Sequence, residues 1–417
     1  MSTQPEAIEP TASDVPSNAN RFALAIIFMI MLLDIIGLTM MYPVAAFIVS
    51  RYSSEALNVT LLTVIYAAAQ FFAAPLLGKL GDRFGRRPVL LISVFGSAVG
   101  YLIFGIGGAL WILFLSRLID GITAGNMSTA SAYIADVSKP EERAKNFTLI
   151  GIAWGVGLIV GPAVGAALGQ INVVFPALAA ANLSILSVVV GYFLLPESLP
   201  EERREKSPIR LHDLNPFVSI GEMVRKPSLA PLLVTLCLFN FAFQGMYSIQ
   251  TLYAIRTFDA QPWQIGLLLV LAGVVVIGGQ ALLVQRVVAR FGESAVAIVS
   301  LCGLALSVLL ICFAPTFGLF LAFSVLGSGN STFIFPTITT LTTNRVSPSE
   351  IGLLMGVTTA LTSLVTILGP LWAGVVYDHV MPSAPYWMGA VIFALAAWFV
   401  TRGKARTSDN LSPPPSR

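Results

Sequence analysis

Long apolar stretches separated by short polar ones set the pattern of the chain. Twelve runs stand out, at approximately residues 22–50, 57–78, 88–108, 110–137, 147–169, 175–195, 229–254, 264–285, 295–314, 318–344, 353–376 and 386–402. A helix that crosses a bilayer needs roughly 17–25 predominantly apolar residues, so each run predicts a transmembrane α-helix. The polar breaks are short except for one, 196–228, which separates six runs from six. The predicted order is a tail (1–21), a six-helix bundle (22–195), a central loop (196–228), a second six-helix bundle (229–402) and a second tail (403–417). The first twenty residues carry acids but no Lys or Arg, unlike the start of a secretory signal, so the first helix is expected to be retained. In the central loop, Asn215-Pro216 resembles an N-cap and first helical position. The residues after it fit either a short surface helix or a flexible linker.

The two sets of six are related. Arg83-Phe84-Gly85 recurs as Arg290-Phe291-Gly292, and Gly161-Pro162 recurs as Gly369-Pro370. Pro140-Glu141-Glu142 has a partner in Pro348-Ser349-Glu350. The offset is half the chain, which predicts two parallel six-helix repeats with a binding site between them near the midplane.

Composition agrees with a polytopic membrane protein: 56% of residues are hydrophobic, 11% are charged, and the mean hydropathy is +0.82. Charge then gives the orientation. Of 24 Lys and Arg, Arg51 and Arg256 fall in loops on one side and Arg117 lies inside a span; the other 21 fall in loops and tails on the opposite side. Basic short loops stay in the cytoplasm, so both termini are expected there. Trp111, Trp263 and Trp387 fall at the expected outer ends of helices. Cys237, Cys302 and Cys312 lie in apolar runs, and His212 and His379 are far apart, so no disulfide, metal or cofactor set is read. The basic residues follow the loops and do not suggest nucleic acid.

Ionisable side chains within a bilayer are costly, about 2.5–3.5 kcal/mol on insertion scales. Three are expected deep here: Asp34, Arg117 and Asp120. Arg117 and Asp120 share a helix face three residues apart and could simply neutralise each other. Asp34 has no sequence-local cation, so it either pairs with Arg117 across a cavity or takes a proton. Burial disfavours an ionised carboxyl and a nearby Arg favours it. An acid whose cation partner changes with conformation can load a proton on one side and release it on the other. Asp34 is therefore the expected protonation site and Arg117 its modulator, with Asp120 the third member of the proton-coupling set. On matching Leu319-Phe320-Leu321 to Leu113-Phe114-Leu115, the second half has Phe323 and Leu326 in place of Arg117 and Asp120. It offers neutral polar groups: Asn240, Gln244, Gln280 and Asn330. These, with Gln70, are candidates to line a cavity for an amphipathic or lipophilic compound, or to act as interhelical glue.

Residues Gly78-Lys79-Leu80-Gly81-Asp82-Arg83-Phe84-Gly85-Arg86-Arg87-Pro88 join the second and third runs, and Asp82 is out of place in a loop explained by positive charge alone. Gly-x-x-x-Asp-Arg-x-Gly-Arg-Arg resembles the signature loop of the major facilitator superfamily. The resemblance implies an all-α integral membrane fold of twelve helices in two parallel-repeat halves. It also implies a conformational latch: Gly78, Asp82, Arg83, Gly85, Arg86 and Arg87, with Asp82 facing the start of span eleven and Arg83 or Arg86 paired with Asp136. In span five, Gly157-x-x-x-Gly161-Pro162-x-x-Gly165 resembles the motif of drug:proton antiporters, with Ala166 where a last Gly is usual. Leu33-Asp34-Ile35-Ile36-Gly37 with Pro43, Arg117-x-x-x-Gly121, and Tyr133-Ile134-Ala135-Asp136 before Glu141-Glu142-Arg143 are similar to the tetracycline-efflux branch. That branch carries an acid in span three, where this chain has Gly100 before Tyr101, which argues against a metal–tetracycline chelate as substrate.

The function this implies is export of small drug-like compounds in exchange for protons, of the kind that confers antibiotic resistance, by a multi-pass protein of a prokaryotic inner membrane. A proton-coupled importer or a facilitator of a metabolite keeps the same fold. A non-transporting sensor or scaffold would have no need of the deep charges, and no enzyme site is evident. The expected partners are a small-molecule substrate, protons and the lipid bilayer, with the chain acting as a monomer.

Overall fold

All twelve expected runs are helical in the computed structural model, which describes residues 17–205, 229–347 and 350–409. The first half holds α1 (Ser17–Met40), α2 (Ala45–Val49), α3 (Ala56–Phe84), α4 (Arg86–Ile106), α5 (Leu110–Thr123), α6 (Asn126–Val137), α7 (Pro140–Ile171) and α8 (Phe175–Leu194). The second holds α9 (Ala230–Phe258), α10 (Pro262–Leu282), α11 (Val284–Phe291), α12 (Glu293–Ile311), α13 (Phe317–Thr343), α14 (Ile351–His379) and α15 (Ala384–Asp409). The helix proposed at Asn215-Pro216 and most of both tails lie outside the described residues. The second tail was expected from 403, yet α15 runs through to Asp409.

Three departures from the run pattern have local causes. The run 22–50 is two helices, because Pro43 supplies no N–H and disfavours helix at the residue before it; a turn at 41–44 follows α1. The signature segment is not a loop of several residues. Helix α3 continues through Phe84, α4 starts at Arg86, and Gly85 alone turns the chain with φ +103°, a conformation only glycine adopts cheaply. Gly81 is an ordinary residue of α3. Lastly, the run 110–137 breaks at Ala124-Gly125 into α5 and α6, so among the described residues eleven helices, not twelve, are individually long and apolar enough to span a membrane. Gly and Asn are poor helix formers. Asn126 Oδ1 also accepts the Met127 N–H at 2.8 Å, a side-chain bond that competes with continuation of the helix.

Within the first half α1 packs on α7 and α8, and α4 on α5 and α8; within the second, α9 packs on α14 and α15, and α12 on α13 and α15. The halves meet along two seams, α7 against α10 and α3 against α14. Phe95, Ile92, Phe193, Val299 and Phe313 are all more than half exposed. A contiguous apolar exterior of this kind marks a surface made for lipid. Trp111, Trp263 and Trp387 are exposed at the helix ends remote from Gly85, where aromatic interface anchors belong.

Candidate functional site

Two joined chambers lie between the halves. One, about 390 Å³, is lined mainly by α1, α3 and α4 of the first half and α9 of the second, with Arg117 and Asp120 of α5; the other, about 520 Å³, is lined mainly by α9, α10, α12 and α13. They share Tyr42, Trp154, Gln244, Tyr247, Gln250 and Leu269. The rings of Tyr42 and Tyr247 meet edge to face across the halves, with centroids 5.8 Å apart.

The first chamber gathers the three deep charges. Among the described residues, Asp34, Arg117 and Asp120 are the only charged side chains that are buried, at 8%, 7% and 1% exposure. All three line this chamber. Arg117 Nη1 donates to Asp120 Oδ2 at 3.1 Å. Its guanidinium also sits 4.9 Å from the ring centroid of Phe104 and 5.3 Å from that of Tyr101, a cation–π box that offsets part of the lost hydration. Ser97 makes a further side-chain hydrogen bond to Asp120. Asp34 is therefore not paired with Arg117 in this conformation. It accepts from Asn126 Nδ2 at the first turn of α6. Asp34 Oδ1 and Arg117 Nε and Nη2 have no partner among the described residues. Buried groups left in that condition cost about 1–3 kcal/mol each, so the arrangement can gain by exchanging partners or protons.

Of the candidate cavity residues, Gln70 lines the first chamber and donates to the Ala124 carbonyl at the helix break, 3.3 Å away. Asn240 lines the second chamber and Gln244 lines both; Gln280, Ser328 and Thr332 add to the second. Asn330 is a correction. It lies in neither lining; its amide bonds back to the Leu326 carbonyl at 3.0 Å and fills the hollow over Gly303 of α12. It is glue between helices, since a neutral polar residue in an apolar run does not reveal which way it faces. The match of Phe323 and Leu326 to Arg117 and Asp120 is also off by one. Helix α5 starts at Leu110 and α13 at Phe317, an offset of 207, which places Ser324 and Gly327 there. Both line the second chamber, whereas Leu326 is 52% exposed.

The span-five glycines let α7 lie directly on α1. A Cβ on Gly161 would meet the Ile36 carbonyl at 2.9 Å, and one on Gly165 would meet Met40 Cα at 2.9 Å. The Thr39 hydroxyl sits 2.8 Å from the Gly157 carbonyl, and a Cβ on Gly157 would meet Ile35, the neighbour of Asp34. Pro162 lines the second chamber, and its carbonyl lies against Gly266 of α10. One face of α7 thus touches the helix that carries Asp34 and another touches the opposite half.

The latch residues form a chain at the Gly85 end. Asp82 pairs with Arg86 at 2.5 Å, and Arg86 Nε with Asp136 at 3.3 Å. Arg83 instead lies over Phe84, so of the two arginines weighed for Asp136 it is Arg86 that reaches it. The partner of the Asp82 carboxylate is Arg86 in its own half, rather than the start of α14. Arg87 stacks on Tyr192 and donates to its carbonyl. Two residues not singled out in the sequence complete the cluster. Glu197 accepts the N–H of Arg86 at 2.8 Å and of Arg87 at 3.2 Å, capping α4. Ser198 donates to Asp136 at 3.1 Å. Gly78 is in α3 beside this cluster, and a Cβ there would meet nothing within 4 Å. The same holds for Gly356 near the start of α14. At the other end of the same seam, Gly374 presses on Leu57, with a Cβ-to-Cα approach of 2.9 Å. The α3–α14 seam is thus in contact at the end remote from Gly85 and open beside Gly78 and Gly356.

A model of the Major Facilitator Superfamily matches residues 25–292 and 280–416. The chain belongs to the Major Facilitator Superfamily. It is an integral membrane protein with the twelve-helix transporter fold of that family. The chain is 34% identical over 384 residues to the class C tetracycline resistance protein of Escherichia coli, covering 91% of this chain and 94% of that one. It is 26% identical over 372 residues to Multidrug resistance protein 2 of Bacillus subtilis (strain 168), covering 84% and 89%. Among solved structures, a bacterial homolog to the human lysosomal transporter Spinster, in an inward-facing and occupied conformation, superposes with a TM-score of 0.73 at 18% identity. That match covers 96% of this chain and 100% of that one, and it supports the fold alone.

Proposed function

We propose that this superfamily transporter exports small amphipathic or lipophilic compounds in exchange for protons. The observation that carries the reading is the first chamber. Three buried charges from one half face one cavity, and Asp34, which has no ionic partner among the described residues, is held by the neutral Asn126. Asp34 is the protonation site. Arg117 and Asp120 form the pair that must rearrange to give Asp34 a cation when it releases its proton. The likeness to resistance proteins for tetracycline and multiple drugs supports export as the direction.

The end bearing Gly85 is the cytoplasmic one, because 21 of 24 basic residues belong to that side and basic loops stay inside. Both termini are then cytoplasmic, and the open end of the cavity makes this conformation inward-facing. In the alternate state the Asp82–Arg86–Asp136 cluster meets the start of α14 and closes that end.

The substrate is amphipathic, with its polar part in the first chamber and its apolar part against Phe239, Phe243, Phe323 and Phe335 of the second. A metal–tetracycline chelate fits less well. Gly100 stands where the tetracycline branch carries an acid; it packs on α5, where a Cβ would meet Asp120 Cβ at 3.0 Å and the Ser116 carbonyl at 3.1 Å, and it supplies no further carboxylate to the chamber. The test is accumulation of fluorescent lipophilic compounds in cells lacking their own pumps, with and without a protonophore. The wild type lowers accumulation, the protonophore restores it, and Asp34→Asn does not lower it. If no compound is expelled, export is wrong and metabolite uptake becomes the reading to test.

A further inference from the structure

The closed end of the cavity is held by an unusual exchange of helix caps. The first N–H groups of any helix have no partner within it, and a helix usually satisfies them with its own N-cap side chain. Helix α10 does so: the side chains of Gln261 and Gln264 form a reciprocal capping box, and Pro262 at the first position has no N–H to satisfy. Helix α3, which occupies the equivalent place in the first repeat, does not. Its N-cap residue Glu55 makes no capping bond. The N–H groups of Ala56 and Leu57 go instead to Asp378, at the end of α14 in the other half, each at 2.8 Å to a different carboxylate oxygen. A carboxylate at a helix N-terminus is also favoured by the helix dipole.

Arg256, at the end of α9, reinforces the grip. It donates to the Ser54 carbonyl and lies 5.4 Å from the Tyr377 ring centroid. Two side chains of the second half thus hold the backbone of the first half over residues 54–57. Beside them Gly374 lets α14 touch Leu57 directly. The α7–α10 seam can part without leaving helix donors unpaired; the α3–α14 seam cannot. We propose that Asp378, assisted by Arg256, is the latch that keeps the outer end of the cavity shut, and that each transport cycle must release it. The inference concerns the fold's motion and stands whatever the substrate or the direction of transport.

The test uses the full chain with Cys237, Cys302 and Cys312 replaced by Ser and with Thr63→Cys, on the cavity wall of α3, as the probe. Labelling by a membrane-impermeant maleimide is timed in intact cells and in inside-out vesicles. Asp378→Ala removes two charge-assisted hydrogen bonds and should raise the rate from outside by about tenfold or more, with no rise from inside. Glu55→Ser added to Asp378→Ala gives α3 a cap of its own, and the outside rate should stay high. A rate unchanged from both sides overturns the latch. So does a rise from both sides, which reports loosened folding, and so does a return to the wild-type rate with Glu55→Ser, which reports simple fraying of α3. If the tenfold rise appears only in inside-out vesicles, the latch stands and the assigned sidedness is reversed.

Discussion

The two walls of the cavity come from repeats of one plan and differ in charge and in continuity. The first-half wall carries Asp34, Arg117 and Asp120 and a span broken into α5 and α6; the second-half wall has Ser324 and Gly327 at the places of Arg117 and Asp120 and a continuous α13. Under the proposed function, the difference separates two tasks, proton coupling on one wall and substrate recognition on the other. A buried charge is expensive unless it has a partner, so groups that exchange partners are confined to one wall, around a break that frees Asn126 to reach Asp34. The other wall, lined by aromatics and neutral amides and hydroxyls, is suited to recognition of varied apolar shapes. Helix α7 joins the two by packing on both α1 and α10.

The comparison breaks most severely if one charge is removed and its partner kept. Arg117→Leu leaves Asp120 buried and uncompensated, and should cost about 3–5 kcal/mol, seen as loss of folded protein in detergent. Arg117→Leu with Asp120→Leu makes the first wall neutral like the second. It should recover much of the folded yield while failing to restore gradient-driven transport. Equal losses in the single and double variants would mean that the pair's charge balance is not what matters.

Gly161→Val forces side-chain atoms into Thr39 and the Ile36 carbonyl, and overpacking of this kind costs about 1–3 kcal/mol. A lower melting temperature with slowed transport is expected, measured on purified protein and in efflux assays. Asn126→Leu removes the bond that holds Asp34 among the described residues, worth about 0.5–1.5 kcal/mol while Asp34 carries its proton. It should alter the proton dependence of efflux more than substrate binding, which separates it from a packing defect. Arg86→Ala leaves Asp82 and Asp136 without their shared cation. On a partly exposed cluster the change in stability should be at most about 1 kcal/mol, so a slower cycle with near-normal substrate binding is the expected result.

The charges on the first wall were legible in the sequence because an acid or an arginine inside an apolar run has few explanations. The signature segment was legible for the same reason, since Asp82 stood out among basic residues. Its geometry was not: strong helix formers around Gly81 extend α3, and the turn shrinks to Gly85. Asn126 escaped notice because a neutral amide resembles glue, although Gly125-Asn126 is a breaker pair in an otherwise helical run. Asn330 carries the same ambiguity, because a cavity role and a glue role both fit a neutral amide in an apolar run, and its place over Gly303 decides for glue. Asp378 belongs to no motif in the sequence, and the meeting of α14 with α3 gives it its partners. Contacts between residues more than 300 apart in sequence, such as Asp378 with Ala56, leave no trace in local pattern.

The most direct test of the account is transport in proteoliposomes under an imposed pH gradient, comparing the wild type with Asp34→Asn. The wild type should move a lipophilic substrate against its gradient when a proton gradient of the right sign is applied, with a counterflow of protons. Asp34→Asn should still exchange substrate across the membrane but show no response to the pH gradient. Full gradient dependence in Asp34→Asn would contradict the assignment of proton coupling to the first-half wall.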